Sequence, residues 1–305
     1  RLALRLKDWK KDRIVLFLER PHIESTVWVN GHKVGMQNSL CVAHVYDVTQ
    51  FMSPGKCKIA IRIDNRIKDI NVGPDSHSIT DQTQGNWNGI VGRICLQTTP
   101  KIYLEDIQVY PEPEQKVARV KLLIKSSDKG TAIAQVKLSA RSFNTEQCHV
   151  LPTVTHDVKV MNGIAEQEIV LPMGDDMLLW DEFNPALYKL TAEISTGKGK
   201  EKEVKEIQFG MRSFEIKGKW FYVNGRKTML RGTVENCDFP LTGYAPMDVE
   251  SWERVFRICR SYGLNHMRFH SFCPPEAAFI AADLVGFYLQ PEGPSWPNHG
   301  PKLGL

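Results

Sequence analysis

The side chains best suited to chemistry lie in the last quarter of the chain, just after three short segments with the composition of β-strands. Glu235 and Asn236 follow the first segment, Arg268 and His270 lie at the end of the second, and Glu292 follows the third. Carboxylate, amide, guanidinium and imidazole groups together both donate and accept hydrogen bonds. Such a set suits a ligand with many hydroxyl groups, provided that the three segments are neighbours.

The surrounding pattern predicts how these segments are positioned. From Thr228 onward, short apolar segments at 228–232, 264–270 and 287–293 alternate with stretches of helical character. The first predicted helix has Asp248 as its N-cap and Gly263 at its end, and the second runs from Pro274-Pro275 to Gly286. The apolar face of the first helix is predicted to consist of Trp252, Val255, Phe256 and Cys259. A strand–helix–strand–helix–strand order predicts a parallel sheet, in which the carboxyl ends of all three strands share one edge.

Residues 1–100 predict a domain built only from β-strands. Arg13–Glu19 and Lys58–Ile63 alternate apolar and polar residues, and 92–100 predicts a closing strand. Between them, Asn30-Gly31 separates two strand-like segments and predicts a tight hairpin, because both turn positions favour positive φ. A β-sandwich of the jelly-roll type is expected here.

A second all-β region follows at 101–212. Strands predicted at 117–125, 131–140, 165–171 and 187–194 recur between turn signals. About seven short strands over such a length are typical of an immunoglobulin-like sandwich. The mixed-charge run 198–205 is interpreted as a solvated turn, and Asn224-Gly225 predicts another hairpin before the final region, 213–305.

Composition excludes several classes of protein. The chain has 305 residues, of which 42% are hydrophobic and 24% are charged, and its net charge is +4. No basic stripe that would favour nucleic acid and no long apolar segment that would favour a membrane is present. Seven cysteines without a CxxC pair predict neither a disulfide framework nor a zinc site, so they are expected to be buried free thiols. No cofactor and no metal are predicted.

Several segments resemble family 2 glycoside hydrolases, the family of β-galactosidases, β-glucuronidases and β-mannosidases. The resemblance is carried by VWVNGHKVG (27–35), NWNGIVGRICL (86–96), FGMRSFEIKGKWFYVNGRKTMLRG (209–232), YGLNHMRFHSFCPP (262–275) and VGFYLQPEG (285–293). It implies a sugar-binding jelly roll at 1–100, an immunoglobulin-like domain at 101–212 and the first part of a (β/α)8 barrel at 213–305. It also implies a retaining, exo-acting β-glycosidase that acts on a carbohydrate and is most similar to β-galactosidases. The resemblance is also compatible with a homo-oligomer.

The resemblance further implies which chemical groups the chain holds. Retaining glycosidases use two carboxyl groups, and in this family an Asn-Glu pair follows the fourth barrel strand and the nucleophile follows the seventh. No Asn-Glu dipeptide occurs in residues 1–305, so this chain alone is expected to be inactive. Arg268 and His270 match second-strand positions near the sugar, and Glu292 matches an acidic position after the third strand. Asn236 stands where many members have a histidine, which argues against a metal site of the galactosidase type.

Further candidates for substrate contact lie outside the carboxyl edge of the predicted parallel sheet. Asp81, with Asn86 and Trp87, falls where family members can extend a loop towards the active site, and Trp296 could stack on a sugar ring. A structural role remains open for four of these residues. Asp81 could be a turn aspartate, Trp87 a core tryptophan, His270 a satisfied structural histidine and Glu292 a surface loop carboxylate. A non-catalytic carbohydrate-binding module and a scaffold for subunit contacts are the alternative functions.

Overall fold

The computed structural model describes residues 2–5, 13–66, 87–196 and 201–293, and the fold is mainly β. The chain divides into two compact units. The first unit comprises Arg1–Thr98, Arg231–Ala282 and Phe287–Leu305, and the second comprises Thr99–Leu230 and Asp283–Gly286. Residues on both sides of the second unit therefore build the first.

The first unit begins with a β-sandwich. Its described strands are β1 (Leu2–Arg5), β2 (Arg13–His22), β3 (Glu24–Val29), β4 (His32–Asn38), β5 (His44–Asp47), β6 (Gly55–Asp64) and β7 (Gly89–Thr99). They form one sheet in the order β1-β6-β3-β4 and another in the order β5-β2-β7. Leu16 and Leu18 from one sheet share a buried core with Val27 and Val29 from the other. The predicted strands are confirmed, whereas the jelly-roll connectivity stays a prediction.

The hairpin between β3 and β4 is also confirmed. Asn30 and Gly31 both adopt positive φ, at 50° and 86°. Asparagine and glycine tolerate this region better than other residues, so the sequence at this point fixes the turn and hence the register of β3 against β4.

The second unit contains a sandwich of seven described strands. Its strands are β8 (Ile102–Glu112), β9 (Val117–Ser126), β10 (Ala132–Phe143), β11 (Val154–Val160), β12 (Ile164–Pro172), β13 (Leu187–Thr196) and β14 (Glu201–Phe209). The sheets have the orders β11-β10-β13-β14 and β12-β9-β8, and one apolar core lies between them. The strands predicted in this region are confirmed.

The mixed-charge run was wrongly interpreted as a turn. Its described part, from Glu201 onward, belongs to β14, whose only neighbour among the described strands is β13. Charged side chains are common on such edge strands because they oppose pairing with other chains. They also pair across the strands: Lys202 Nζ lies 2.5 Å from Glu193 Oε2.

A small antiparallel sheet follows, with β15 (Phe214–Lys217), β16 (Trp220–Val223) and β17 (Arg226–Thr228) in that order. Asn224 and Gly225 form its predicted turn, again with positive φ. This sheet includes Thr228, which the sequence assigned to the next region.

The remainder forms the predicted parallel sheet. It consists of β18 (Gly232–Glu235), α1 (Val249–Ser261), β19 (His266–Phe269), α2 (Glu276–Val285) and β20 (Tyr288–Gln290). Both β18 and β20 pair in parallel with β19, which confirms the prediction. The first strand was predicted four residues too early. Asn265 sets the true start, because its side-chain Oδ1 accepts from Arg231 N–H at 2.7 Å and its own N–H donates to the Arg231 carbonyl at 2.9 Å.

Helix α1 covers one face of this sheet. Asp248 caps it as predicted, since its Oδ1 accepts from Ser251 N–H at 2.8 Å. Trp252 and Phe256 are buried, and the Phe256 ring stacks on Phe287 with centroids 4.9 Å apart. Val255 and Cys259 are only half-buried, so the apolar face is narrower than predicted. Across the described ranges, neither helix has the length and apolar character needed to span a bilayer.

Candidate functional site

Five polar residues lie where the parallel strands end, and we call them the polar rim: Glu235, Asn236, Arg268, His270 and Glu292. In the strand register, Arg268 of β19 lies opposite Val234 of β18 and Gln290 of β20. Because the strands are parallel, their carboxyl ends share one edge, where α/β sheets generally bind ligands. The sheet therefore places these residues at a single edge, as the sequence predicted.

Arg268 and Glu292 form the best-defined contact of the rim. Arg268 Nε donates to Glu292 Oε1 at 2.6 Å, and Ser271 N–H donates to Oε2 at 2.8 Å. Burial alone would raise the pKa of Glu292, but the bonds from Arg268 and Ser271 and the charge of Arg268 outweigh it, so the pKa is lowered. Glu292 is thus an ionised hydrogen-bond acceptor that links the segment after β20 to β19 and to the loop that follows β19. Whether Glu292 contacts substrate or is only a surface loop carboxylate stays a prediction.

The pKa of Glu235 is shifted in the opposite direction from that of Glu292. Its Oε1 accepts from Asp238 N–H at 3.2 Å, whereas its buried Oε2 has no hydrogen-bond partner within the described residues. Burial raises the pKa of Glu235 to about 7, against hydrogen bonds from the backbone of Cys237 and Asp238 that lower it. Near neutral pH this group can therefore be either a donor or an acceptor.

His270 and Asn236 complete the rim. His270 Nδ1 and Asn236 Oδ1 are 3.3 Å apart, and His270 N–H donates to the Glu235 carbonyl at 2.9 Å. Asn236 is exposed and His270 is half-buried. The backbone bond continues the pairing of β18 and β19 beyond their last residues, which brings both side chains to the same edge.

The close packing of β18 against β19 explains why position 232, at the start of β18, is a glycine. A Cβ atom there would collide with the His266 ring and lie 3.2 Å from the His266 carbonyl oxygen. Glycine therefore permits the close approach of β18 to β19. The Arg231-Gly232 pair of the sequence therefore lies where β18 packs closely against β19.

A second group, which sequence reasoning missed, lies in the same unit. Arg20 at the end of β2 is 4% exposed, and its Nη2 donates to the Cys273 carbonyl. Its guanidinium lies 5.8 Å from the Trp87 ring centroid and 5.4 Å from that of Phe272. The available signal was the position of Arg20, directly after the predicted strand Arg13–Glu19 and directly before Pro21.

The other predicted contacts have different outcomes. Trp87 is buried and packs against His22 with ring centroids 4.6 Å apart, so it is a core tryptophan. Asp81, Asn86 and Trp296 lie outside the described residues. Within residues 13–66, 87–196 and 201–293, no three His, Cys, Asp or Glu side chains are grouped so as to hold a metal ion.

The cysteines are free, as predicted, but they are not all buried. Cys57 and Cys237 are buried, Cys148 is exposed, and the remaining four are half-buried: Cys41, Cys95, Cys259 and Cys273. The expectation of buried thiols was therefore wrong for five of the seven positions.

Comparisons with known proteins agree with this architecture. Residues 102–212 match the family model described as glycosyl hydrolases family 2. The chain is 24% identical over 272 residues to a β-galactosidase of Oenococcus oeni, covering 87% of this chain and 25% of that protein. It is 26% identical over 288 residues to a putative β-glucuronidase of Formosa agariphila, covering 93% of this chain and 33% of that protein. The chain thus spans about a quarter to a third of the length of these two relatives.

Solved structures show the same fold. The β-glucuronidase of Bacteroides uniformis superposes with a TM-score of 0.80 at 20% identity, over 97% of this chain and 36% of that chain. A family 2 glycosyl hydrolase from Bacteroides cellulosilyticus gives a TM-score of 0.81 at 19% identity, over 96% of this chain and 39% of that chain.

The class of protein that these matches define is the glycoside hydrolases. Within that class, the matches support family 2: its model matches residues 102–212, and solved family 2 structures share the fold of the chain.

Proposed function

We propose that this chain supplies part of the substrate-binding site of a retaining, exo-acting β-glycosidase, most similar to β-galactosidases. In this proposal residues 1–100 form a sugar-binding jelly roll, 101–212 an immunoglobulin-like domain and 213–305 the first strands of a (β/α)8 barrel. One observation carries it: charged and amide side chains from three adjacent parallel strands meet at the strands' carboxyl edge.

The rim suits a sugar because it offers groups of different hydrogen-bonding character. Glu292 is an acceptor held by Arg268, Glu235 can donate or accept, and Asn236 presents an exposed amide. Sugar hydroxyls donate and accept at once, so a ring hydroxyl can satisfy the buried Oε2 of Glu235. This gives each rim residue a role in binding rather than in bond cleavage.

We assign no catalytic carboxylate to the chain. Glu292 is engaged by Arg268 and Ser271, and the family's acid/base and nucleophile positions follow barrel strands four and seven. The proposal therefore separates binding, which these residues perform, from glycoside hydrolysis, which needs two further carboxyl groups.

Calorimetric titration of the 305-residue chain with galactose, glucuronic acid and mannose tests the binding role. We expect galactose to bind best, with a Kd in the millimolar range typical of a small ligand with few contacts. Asn236→Ala and His270→Ala should each weaken binding about tenfold, the effect of losing one or two hydrogen bonds.

Tyr262→Ser is the matched control, because Tyr262 is 80% exposed and follows α1, at the opposite end of β19 from His270. It should bind like the parent chain. No heat of binding for any of the three sugars, or equal losses in the rim and control variants, would refute the binding role. Release of nitrophenol from a nitrophenyl β-galactoside by the purified chain would refute the separation of binding from hydrolysis.

A further inference from the structure

The loop between β19 and α2, residues 270–275, fixes the geometry of the polar rim, and we call it the rim loop. Its Ser271 N–H donates to Glu292 Oε2 at 2.8 Å, and its Phe272 carbonyl accepts from Glu292 N–H at 3.2 Å. At its start, His270 N–H donates to the Glu235 carbonyl at 2.9 Å. The path of the rim loop therefore decides where the His270 ring and the Glu292 carboxylate lie.

The rim loop turns through a backbone conformation that its sequence does not favour. Ser271 is buried and has a φ of 52°, in the left-handed region. Residues with a Cβ atom, apart from asparagine and aspartate, rarely adopt this region, because the Cβ atom comes too close to the next carbonyl oxygen. Contacts from outside the rim loop must therefore stabilise the turn at Ser271.

Arg20 of the amino-terminal sandwich provides such a contact within the first unit. Its Nη2 donates to the Cys273 carbonyl, and its guanidinium lies 5.4 Å from the Phe272 ring centroid. The same guanidinium is 5.8 Å from the ring centroid of Trp87, a buried residue of the sandwich. One side chain thus connects the sandwich to the backbone just beyond Ser271.

The burial of Arg20 indicates that its charge serves the rim loop. Arg20 is 4% exposed, and no carboxylate of the described residues forms an ion pair with it. Burying a cation without a counter-ion is costly, so an apolar side chain would suit the interior of the sandwich better. A hydrogen bond from a cation to a carbonyl is stronger than one between neutral groups, especially where water is excluded. The contact with the Cys273 carbonyl is therefore what the charge contributes.

A second arginine of the sandwich reaches the start of α2 but makes a weaker contact. Arg93 Nη2 lies 3.3 Å from Glu276 Oε2, and the two side chains are 59% and 69% exposed. Exposed ion pairs of this kind contribute little to stability. Arg93 is also held by Glu19, through bonds of 3.0 and 3.2 Å. Arg20 is therefore the stronger of these two contacts.

We propose that Arg20 is a positioning residue, which holds the rim loop in the path that directs Ser271 N–H at Glu292 and presents His270 to the sugar. Arg20 itself touches no substrate. Without its contact, the left-handed turn at Ser271 relaxes and the N–H leaves the carboxylate. The effect on sugar binding rests on the proposed function of the rim, whereas the effect on Glu292 does not.

The first test follows the titration of Glu292 without any sugar. Burial acts to raise the pKa of Glu292, but bonds from Arg268 and Ser271 and the charges of Arg268 and His270 lower it overall. Arg20→Met keeps an unbranched apolar stem and removes the donor, so the pKa of Glu292 should rise towards its ordinary value. Titration by NMR of a chain labelled with 13C at the glutamate carboxyl carbons measures the shift, and the resonance missing from Glu292→Gln identifies the group.

Three comparison variants separate positioning from a general structural role. Arg20→Lys keeps a cationic donor and should retain most of the lowered pKa of Glu292. Ser271→Gly added to Arg20→Met should restore part of it, because glycine adopts positive φ without steric cost. Arg13→Met is the matched control, because Arg13 lies at the other end of β2 and pairs with Asp47 at 3.1 Å. Its Glu292 should titrate like that of the parent.

Several results would overturn the proposal. They are an unchanged Glu292 titration in Arg20→Met and an equal change in Arg13→Met. An Arg20→Met chain that does not fold, judged by thermal denaturation, would also overturn it, because the charge would then serve the sandwich itself. No recovery in the double variant would refute the link between Arg20 and the turn at Ser271.

The second test measures galactose binding by calorimetry. Arg20→Met should weaken binding about tenfold, as expected when the hydrogen bonds of a displaced group are lost. Arg13→Met should bind like the parent, and Arg20→Lys should remain close to it. A parent that binds no sugar, together with a shifted Glu292 titration in Arg20→Met, would refute the binding role of the rim and support the positioning by Arg20. Unchanged affinity in Arg20→Met, with a parent that binds, would overturn its role in sugar binding.

Discussion

Replacing Glu235 with glutamine should stabilise the protein above neutral pH, because the parent must bury an ionised carboxylate there. Burial raises the pKa of Glu235 from 4.5 to about 7 in the folded chain. Between these two values the folded state binds more protons than the unfolded state, so the stability of the parent falls as pH rises. A difference of that size corresponds to about 3 kcal/mol once both states are ionised.

Urea unfolding of both proteins, followed by tryptophan fluorescence from about pH 5 to about pH 8, measures this difference. We expect Glu235→Gln to lose most of the downward slope of the parent and to be more stable by about 2–3 kcal/mol near pH 8. The amide can still accept from Asp238 N–H, as Oε1 does in the parent.

Glu292→Gln is the matched control with the opposite expectation. This carboxylate has a lowered pKa and accepts from Arg268 and Ser271, so its loss should cost about 1–2 kcal/mol at neutral pH. Its contribution is present above its ordinary pKa and is lost as pH falls through the lowered value. If Glu235→Gln kept the parent's slope, or were less stable than the parent near pH 8, the reasoning from burial would be refuted.

Three further changes test the fold of the first unit. Gly232→Ala should destabilise the first unit by about 1–3 kcal/mol, since a methyl group would be forced against His266; a thermal midpoint equal to the parent's would contradict the close approach. The buried His44 shares Ser25 Oγ with Tyr46, and burial lowers the pKa of His44, so its contribution to stability should be present above about pH 6.5 and decline as pH falls. Ser25→Ala should cost about 1–3 kcal/mol near pH 7 by leaving its buried partners unsatisfied, and an unchanged urea midpoint would argue against this network. Asp248→Ala should cost about 1 kcal/mol by removing the α1 N-cap, whereas Asp248→Asn, which keeps an acceptor, should cost measurably less.

The sequence predicted those parts of the fold where local chemistry leaves few alternatives. Asn30-Gly31 and Asn224-Gly225 adopt the positive φ values that only a few residue types tolerate, so both hairpins were predictable. Asp248 was predictable because a capping side chain acts within one turn of its own position.

Features that depend on distant contacts were not predictable in the same way. The true start of β18 is set by Asn265, which is more than thirty residues away in the chain and whose side chain bonds to Arg231. The charged β14 looked like a turn because its pairing with β13 and its position at a sheet edge are properties of the assembled unit.

The candidate site shows the same division. The rim residues were predictable because strand order alone brings their positions together, but the contrast between Glu235 and Glu292 depends on burial and on which backbone groups reach each carboxylate. The contacts of the buried Arg20 with Trp87, Phe272 and Cys273 were missed because these residues are far apart in the chain.

The division into units has a consequence for biosynthesis. The first unit needs Arg1–Thr98 and also residues from Arg231 onward, whereas most of the second unit is one uninterrupted stretch. On the ribosome, both sheets of the amino-terminal sandwich are made first, but Phe272 and Cys273, which contact the buried Arg20, are made only after the second unit, so this surface stays uncovered until then. Chaperone dependence during translation should therefore arise from the amino-terminal sandwich and should disappear for a separately expressed 99–230 segment.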